Sequence, residues 1–121
     1  MARRGAGDEG DTTLAVIAPH REALAALCRR FGVRRLDLFG SAVQGRFDPA
    51  TSDLDFIADF ANPGAPGYAA RYLAFAETLE ALFGRPVDVL TERMIGSPDF
   101  RATVERTRRR VYDERGAVAA R

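Results

Sequence analysis

The chain has 121 residues, 46% hydrophobic and 29% charged, which suits one globular domain and leaves no room for a second substrate-recognition domain. A formal net charge of +1 excludes a global pull toward nucleic acid or a membrane surface, although all 18 basic residues are Arg. The single Cys28 excludes an internal disulfide, and no apolar run nears the roughly 20 residues of a membrane span.

Residues 1–12 are Gly-rich and polar and read as a flexible tail. They lack the apolar segment of a secretory signal, so the cytoplasm is the expected compartment. The folded domain is expected over 13–115 and a C-terminal tail over 116–121. A first helix is predicted from near Pro19 to Phe31, with Leu24, Leu27, Cys28 and Phe31 on one face and Gly32 as its stop. Cys28 reads as a packing residue, and His20, near the helix start, as a solvated or capping one. Val33, Leu36, Leu38 and Phe39 then form a buried strand between Gly32 and Gly40. Ser41 is a good N-cap for a short helix through Ala42, Val43 and Gln44.

Asp48-Pro49 and Thr51-Ser52 keep the next stretch a loop. A second strand follows, with Leu54, Phe56, Ala58 and Phe60 on one face and Asp53, Asp55 and Ile57 on the other. The run from Asn62 to Gly67 breaks structure and is either a plain connector or a rim of the site before it. Tyr72, Phe75, Ala76, Leu79, Leu82 and Phe83 form the core-facing stripe of a helix over Tyr68 to Phe83, ended by Gly84. Pro86 to Leu90 is a short strand with Asp88 among apolar neighbours, and Thr91 to Ile95 a turn. Ser97-Pro98 reads as an N-cap followed by Pro at the first helical position. The last helix is predicted over Pro98 to Glu114, with Phe100, Val104, Val111 and Tyr112 inward. Its outer face would carry Arg106, Arg108, Arg109 and Arg110, as a solvated face first, a docking surface for an acidic partner second and a nucleic-acid contact third.

Chemistry concentrates between Leu36 and Phe60. Two carboxylates on one strand face, Asp53 and Asp55, repel each other, and a hard divalent cation such as Mg²⁺ offsets that repulsion with substrate phosphates completing its shell. Gly40, without a Cβ, lets a ligand approach the backbone, and Ser41 adds a hydroxyl where backbone N–H groups attract anions. A phosphate cradle facing a carboxylate pair suits metal-assisted phosphoryl or nucleotidyl transfer. Asp37 reads as a strand-edge carboxylate, and Asp59 lies too far along the strand to share the metal.

Gly40-Ser41, a spacer, and Ser52-Asp53-Leu54-Asp55-Phe56 resemble the GS…DxD signature of the nucleotidyltransferase superfamily with the DNA polymerase β-like fold. Size and flanking segments resemble its minimal nucleotidyltransferase (MNT) branch. The resemblance implies an α/β (α+β) fold, a small mixed β-sheet flanked by helices. It implies that Gly40 and Ser41 bind the triphosphate of ATP, that Asp53 and Asp55 hold one or two Mg²⁺ ions, and that Asp88 is the third carboxylate. Asp88 would also accept a proton from the incoming hydroxyl. The sequence departs from the commonest pattern in two respects. Its nearest cation after the Gly-Ser pair is Arg46, a candidate nucleotide-binding residue, and its spacer is one residue longer.

MNT proteins are commonly antitoxins paired with HEPN-type ribonuclease toxins, and some transfer AMP from ATP to a tyrosine of the toxin. The resemblance therefore implies protein AMPylation of a HEPN-type partner. Two alternatives stand beside it: an antitoxin that acts by binding alone, and transfer to a small molecule. Nucleic acid and membrane are not expected partners, and an oligomer is compatible with the sequence.

Overall fold

The computed structural model describes residues 13–44 and 53–116. The expected tail at 1–12, nearly all of that at 116–121, and Ser52 and Arg46 lie outside the described residues. The chain forms helix α1 (Thr13–Ile17), a 3-10 turn (Ala18–His20), α2 (Arg21–Phe31), strand β1 (Val33–Phe39) and α3 (Ser41–Gln44). Strand β2 (Leu54–Phe60), α4 (Tyr68–Phe83), β3 (Val87–Leu90) and a 3-10 turn (Glu92–Met94) follow. Helix α5 (Pro98–Thr107) and strand β4 (Arg109–Asp113) complete the described chain. The sheet is mixed, in the order β3-β2-β1-β4, with β2 and β3 parallel and the other pairs antiparallel.

Alternation along the strands divides the core between the two sheet faces. Leu36, Leu38, Leu54, Phe56, Ala58 and Val89 pack with Leu24 and Cys28 of α2 and Phe75 and Leu79 of α4. Phe39 and Ile57 point the other way and pack with Leu90, Ile95 and Val104 of α5. The result is a four-stranded sheet between helices, as expected. Left-handed glycines end both long helices, Gly32 at φ 73° and Gly84 at φ 68°. Arg71 of α4 donates to the carbonyls of Phe31, Ala61 and Asn62, joining the end of α2 to the loop after β2. The side chain of Ser97 accepts the Phe100 N–H at 3.0 Å, the expected N-cap.

Several expectations are corrected. Among the described residues helical structure already starts at Thr13, and Pro19 lies in the 3-10 turn that precedes the longer helix. His20 makes no cap hydrogen bond through its side chain and meets the Phe83 ring edge-on, centroids 4.9 Å apart. The last helix stops at Thr107, and 109–113 form a strand instead. Arg108 is already extended, with φ −66° and ψ 141°. The open edge of β1 decides the matter, because β4 pairs along it and brings Val111 and Tyr112 into the larger core. Phe100, expected inward, is 38% exposed.

The supposed basic helix face also dissolves, since Arg108 and Arg110 turn onto Asp37 at 2.8 and 2.6 Å. Asp37 is therefore a buried ion-pair partner on an inner strand and not a strand-edge carboxylate. The run from Asn62 to Gly67 follows the far end of β2, about 16 Å from Asp55 at strand rise. It is a connector and not a rim of the carboxylate end. Among the described residues, no helix is long and apolar enough to cross a membrane.

Candidate active site

Strand polarity gathers the acidic residues. Because β1 runs antiparallel to β2 and β3 runs parallel to it, the end of β1 and the starts of β2 and β3 meet at one sheet edge. Phe39, Asp55 and Asp88 occupy one cross-strand row, with neighbouring backbones about 5 Å apart. Asp53 precedes β2 by one residue and is exposed, as is Asp88, whereas Asp55 is half-buried. A hydrogen bond from Leu54 N–H to the Pro86 carbonyl, 3.1 Å, extends the β2–β3 alignment to this edge.

Asp55 is the electrostatic focus. Burial, followed by the charges of Asp88 and Asp53, pushes its carboxyl up to about 6. Asp88 and Asp53 are thus both close enough to Asp55 to oppose its ionisation. Among the described residues, however, no group of three His, Cys, Asp or Glu side chains is drawn together tightly enough to form a ready-made metal cage. Oxygen donors whose joint ionisation is resisted fit a hard divalent cation, which would relieve the repulsion as it draws them in.

Gly40 stands against Asp55. Its φ is +83°, and a Cβ built there would lie 2.7 Å from Asp55 Oδ2. Both the backbone conformation and the close approach require glycine. Gly40 also starts the turn into α3, where the Val43 N–H donates to its carbonyl at 3.1 Å, and Ser41 follows half-buried. The structure therefore brings Gly40, Ser41, Asp53, Asp55 and Asp88 to one edge of the sheet. Arg46 lies outside the described residues.

One residue at this edge has no sequence signal. Thr107, 5% exposed at the end of α5, accepts the Gly40 N–H through Oγ1 at 3.2 Å and donates that hydroxyl to the Thr103 carbonyl at 2.9 Å. It is a positioning residue, holding the Gly-Ser turn from 67 residues away. Thr107→Val keeps the shape and removes the acceptor, leaving the half-buried Gly40 N–H unsatisfied at a cost of about 1 kcal/mol. The expected outcome is a fall in melting temperature together with a raised KM for nucleotide. Thr107→Ser, which keeps the acceptor, should restore KM, and equal KM values in both variants would remove the positioning role.

Cys28 offers no second nucleophile, because burial pushes its thiol up to about 12.

The model of the family "Nucleotidyltransferase domain" matches residues 20–112. The protein adenylyltransferase MntA of Thermococcus cleftensis is 32% identical over 82 residues, 68% of this chain and 76% of that protein. A solved structure provisionally assigned as a minimal nucleotidyltransferase is 32% identical, covers 78% of this chain and 92% of its own, and superposes with a TM-score of 0.62. A toxin–antitoxin crystal structure with AMP-PNP shares the fold at 20% identity, with a TM-score of 0.57 over 77% of this chain and 73% of that one. The edge that unites a glycine turn with strand-borne carboxylates is thus found within a matched domain spanning most of the sequence, and the chain belongs to the nucleotidyltransferase domain family, as a nucleotidyltransferase enzyme.

Proposed function

We propose that this protein transfers AMP from ATP to a partner protein, as the antitoxin of a pair whose toxin is of the HEPN type. The observation that carries the reading is the cross-strand row that sets Asp55 beside Asp88 with Gly40 packed against its carboxylate. A relative named as a protein adenylyltransferase and a similar fold solved in a toxin–antitoxin complex with AMP-PNP support it.

In this reading Asp53, Asp55 and Asp88 hold Mg²⁺, which would offset the charge of the triphosphate when bound. Gly40 lets the phosphates approach the turn, and the Ser41 backbone N–H and hydroxyl orient the β- and γ-phosphates, with Arg46 as the nearest cation in sequence. Asp88, exposed at the edge, accepts the proton of the incoming hydroxyl. The acceptor oxygen bonds to the α-phosphorus, the bond from that phosphorus to the bridging oxygen breaks, and pyrophosphate leaves.

The test is incubation with labelled ATP and Mg²⁺, with and without the protein encoded beside it, followed by intact-mass analysis. A neighbour that gains AMP, and no longer gains it once the metal is chelated, is the expected result. The segment Ala42-Val43-Gln44 carries no charge directly after Ser41, and this favours a second reading, an antitoxin that neutralises by binding alone. A tight complex with no mass change would select that reading.

A further inference from the structure

Helix α5 has a sheet-facing stripe, Phe100, Val104 and Thr107 at i, i+4 and i+7, and a charged flank. Val104 faces the sheet, fully buried in the smaller core. Arg101 and Glu105, joined by Arg108 just past the helix end, form a paired-charge flank with Glu92. Phe100 and Thr107 lie seven residues apart and therefore on nearly one line of the helix, at about 100° per residue.

That line leads to the candidate site. Its Thr107 end holds the Gly40 N–H. Phe100, about 10.5 Å earlier along the axis, meets the Phe39 ring edge-on, with centroids 6.1 Å apart and planes at 71°. Phe39 is the residue opposite Asp55 in the sheet. Phe100 thus packs on the residue that precedes Gly40 in the chain and faces Asp55 across the sheet, and it remains 38% exposed. Among the described residues it is the one aromatic in the group of exposed large apolar side chains; Leu14, Leu73 and Met94 are the others. An edge-to-face contact occupies at most one face of the Phe100 ring.

We propose that Phe100 is the stacking platform for the purine base of the bound nucleotide. The inference rests on reading the Gly40–Asp55 edge as the triphosphate site. Helix α5 then acts as a ruler: Thr107 steadies the phosphate turn at one end, and Phe100 receives the base two turns away. That distance suits the extent of a mononucleotide from its phosphates to its base. Stacking on an aromatic ring strengthens binding without hydrogen-bond readout, so Phe100 contributes affinity more than base discrimination. Phe39 sets the orientation of the platform from beneath.

Calorimetry on the full chain tests this, with Mg²⁺-ATP and Mg²⁺-tripolyphosphate as separate probes. The second ligand has the phosphates and no base. Phe100→Ala should weaken Mg²⁺-ATP about tenfold or more and leave Mg²⁺-tripolyphosphate unchanged, while Phe100→Trp keeps wild-type affinity for both. Equal ATP affinity in the wild type and Phe100→Ala would overturn the platform. A parallel loss of both ligands would also overturn it and mark Phe100 as a packing residue. Should the wild type bind neither probe, the triphosphate reading itself fails and the platform fails with it.

Discussion

Asp55→Asn is expected to abolish nucleotidyl transfer and to raise the melting temperature of the metal-free protein. The two effects have one cause. Asn fills the same space between Gly40 and Asp88 and contributes no charge, so the proposed cation loses a central ligand. The expected fall in transfer rate is at least about a thousandfold, in the range seen when a group that stabilises transition-state charge is removed. Folding holds the Asp55 carboxyl at about 6, above its ordinary 3.8, because burial and the charges of Asp88 and Asp53 oppose its ionisation. At neutral pH the folded protein therefore bears a penalty that the unfolded chain does not. Discounted for solvent screening at a half-buried site, that penalty is about 1 kcal/mol, or about 4 °C in melting temperature.

The sign of the pH dependence follows from the same shift. Between pH 4 and about 6 the folded state binds a proton at Asp55 that the unfolded chain has largely released. Lowering the pH through this window removes the penalty, and above it the penalty is complete. Calorimetry in the presence of a chelator should show the stability advantage of Asp55→Asn near pH 7 shrinking toward pH 4. Asp53→Asn shares the loss of transfer and lacks the large stability gain, because Asp53 is exposed. An Asp55→Asn protein that transfers AMP at the wild-type rate would remove Asp55 from the mechanism. One that melts below the wild type would contradict the electrostatic account.

Features governed by short-range rules were legible in the sequence. Gly32 and Gly84 end their helices through a backbone conformation that glycine adopts without strain. Strand β2 shows its two faces through an alternation broken at Ile57, and Ser97-Pro98 announces the start of α5. The candidate site is legible to the same extent, since Gly40, Ser41, Asp53 and Asp55 fall within 16 residues of sequence. Strand β4 was not. Val104 and Val111, seven residues apart, fit a continuing helix as well as a helix followed by a strand. Only the vacant edge of β1, a long-range feature, distinguishes the two. Thr107 and the Asp37 ion pairs were hidden for the same reason, with partners 67 to 73 residues away and no periodicity linking them.

The second large effect belongs to that hidden network. Arg108→Ala is expected to destabilise the fold by about 3 kcal/mol, roughly 12 °C in melting temperature. The guanidinium of Arg108 reaches Asp37 at 2.8 Å, Glu105 at 2.8 Å and Glu92 at 2.6 Å, tying β1, α5 and the turn after β3 to one cation. The exposed partners contribute little, because water screens Glu92 and Glu105 at about half exposure. Asp37 decides the magnitude: its side chain is 6% exposed, and loss of one of its two Arg partners leaves a buried carboxylate half-compensated by Arg110. Part of the loss is therefore the burial of the carboxylate that remains, and a second substitution separates that part from the rest. In Asp37→Asn/Arg108→Ala no buried charge is left at position 37, and Arg110 keeps Asp113 as its partner, so the double variant should be more stable than the sum of the single effects by about 1 kcal/mol or more. Additive effects would show that Arg108 acts through its surface partners alone. Arg108 also joins α5 to β4, directly after the threonine that holds Gly40, so its loss should raise the KM for nucleotide even at temperatures where the variant is fully folded.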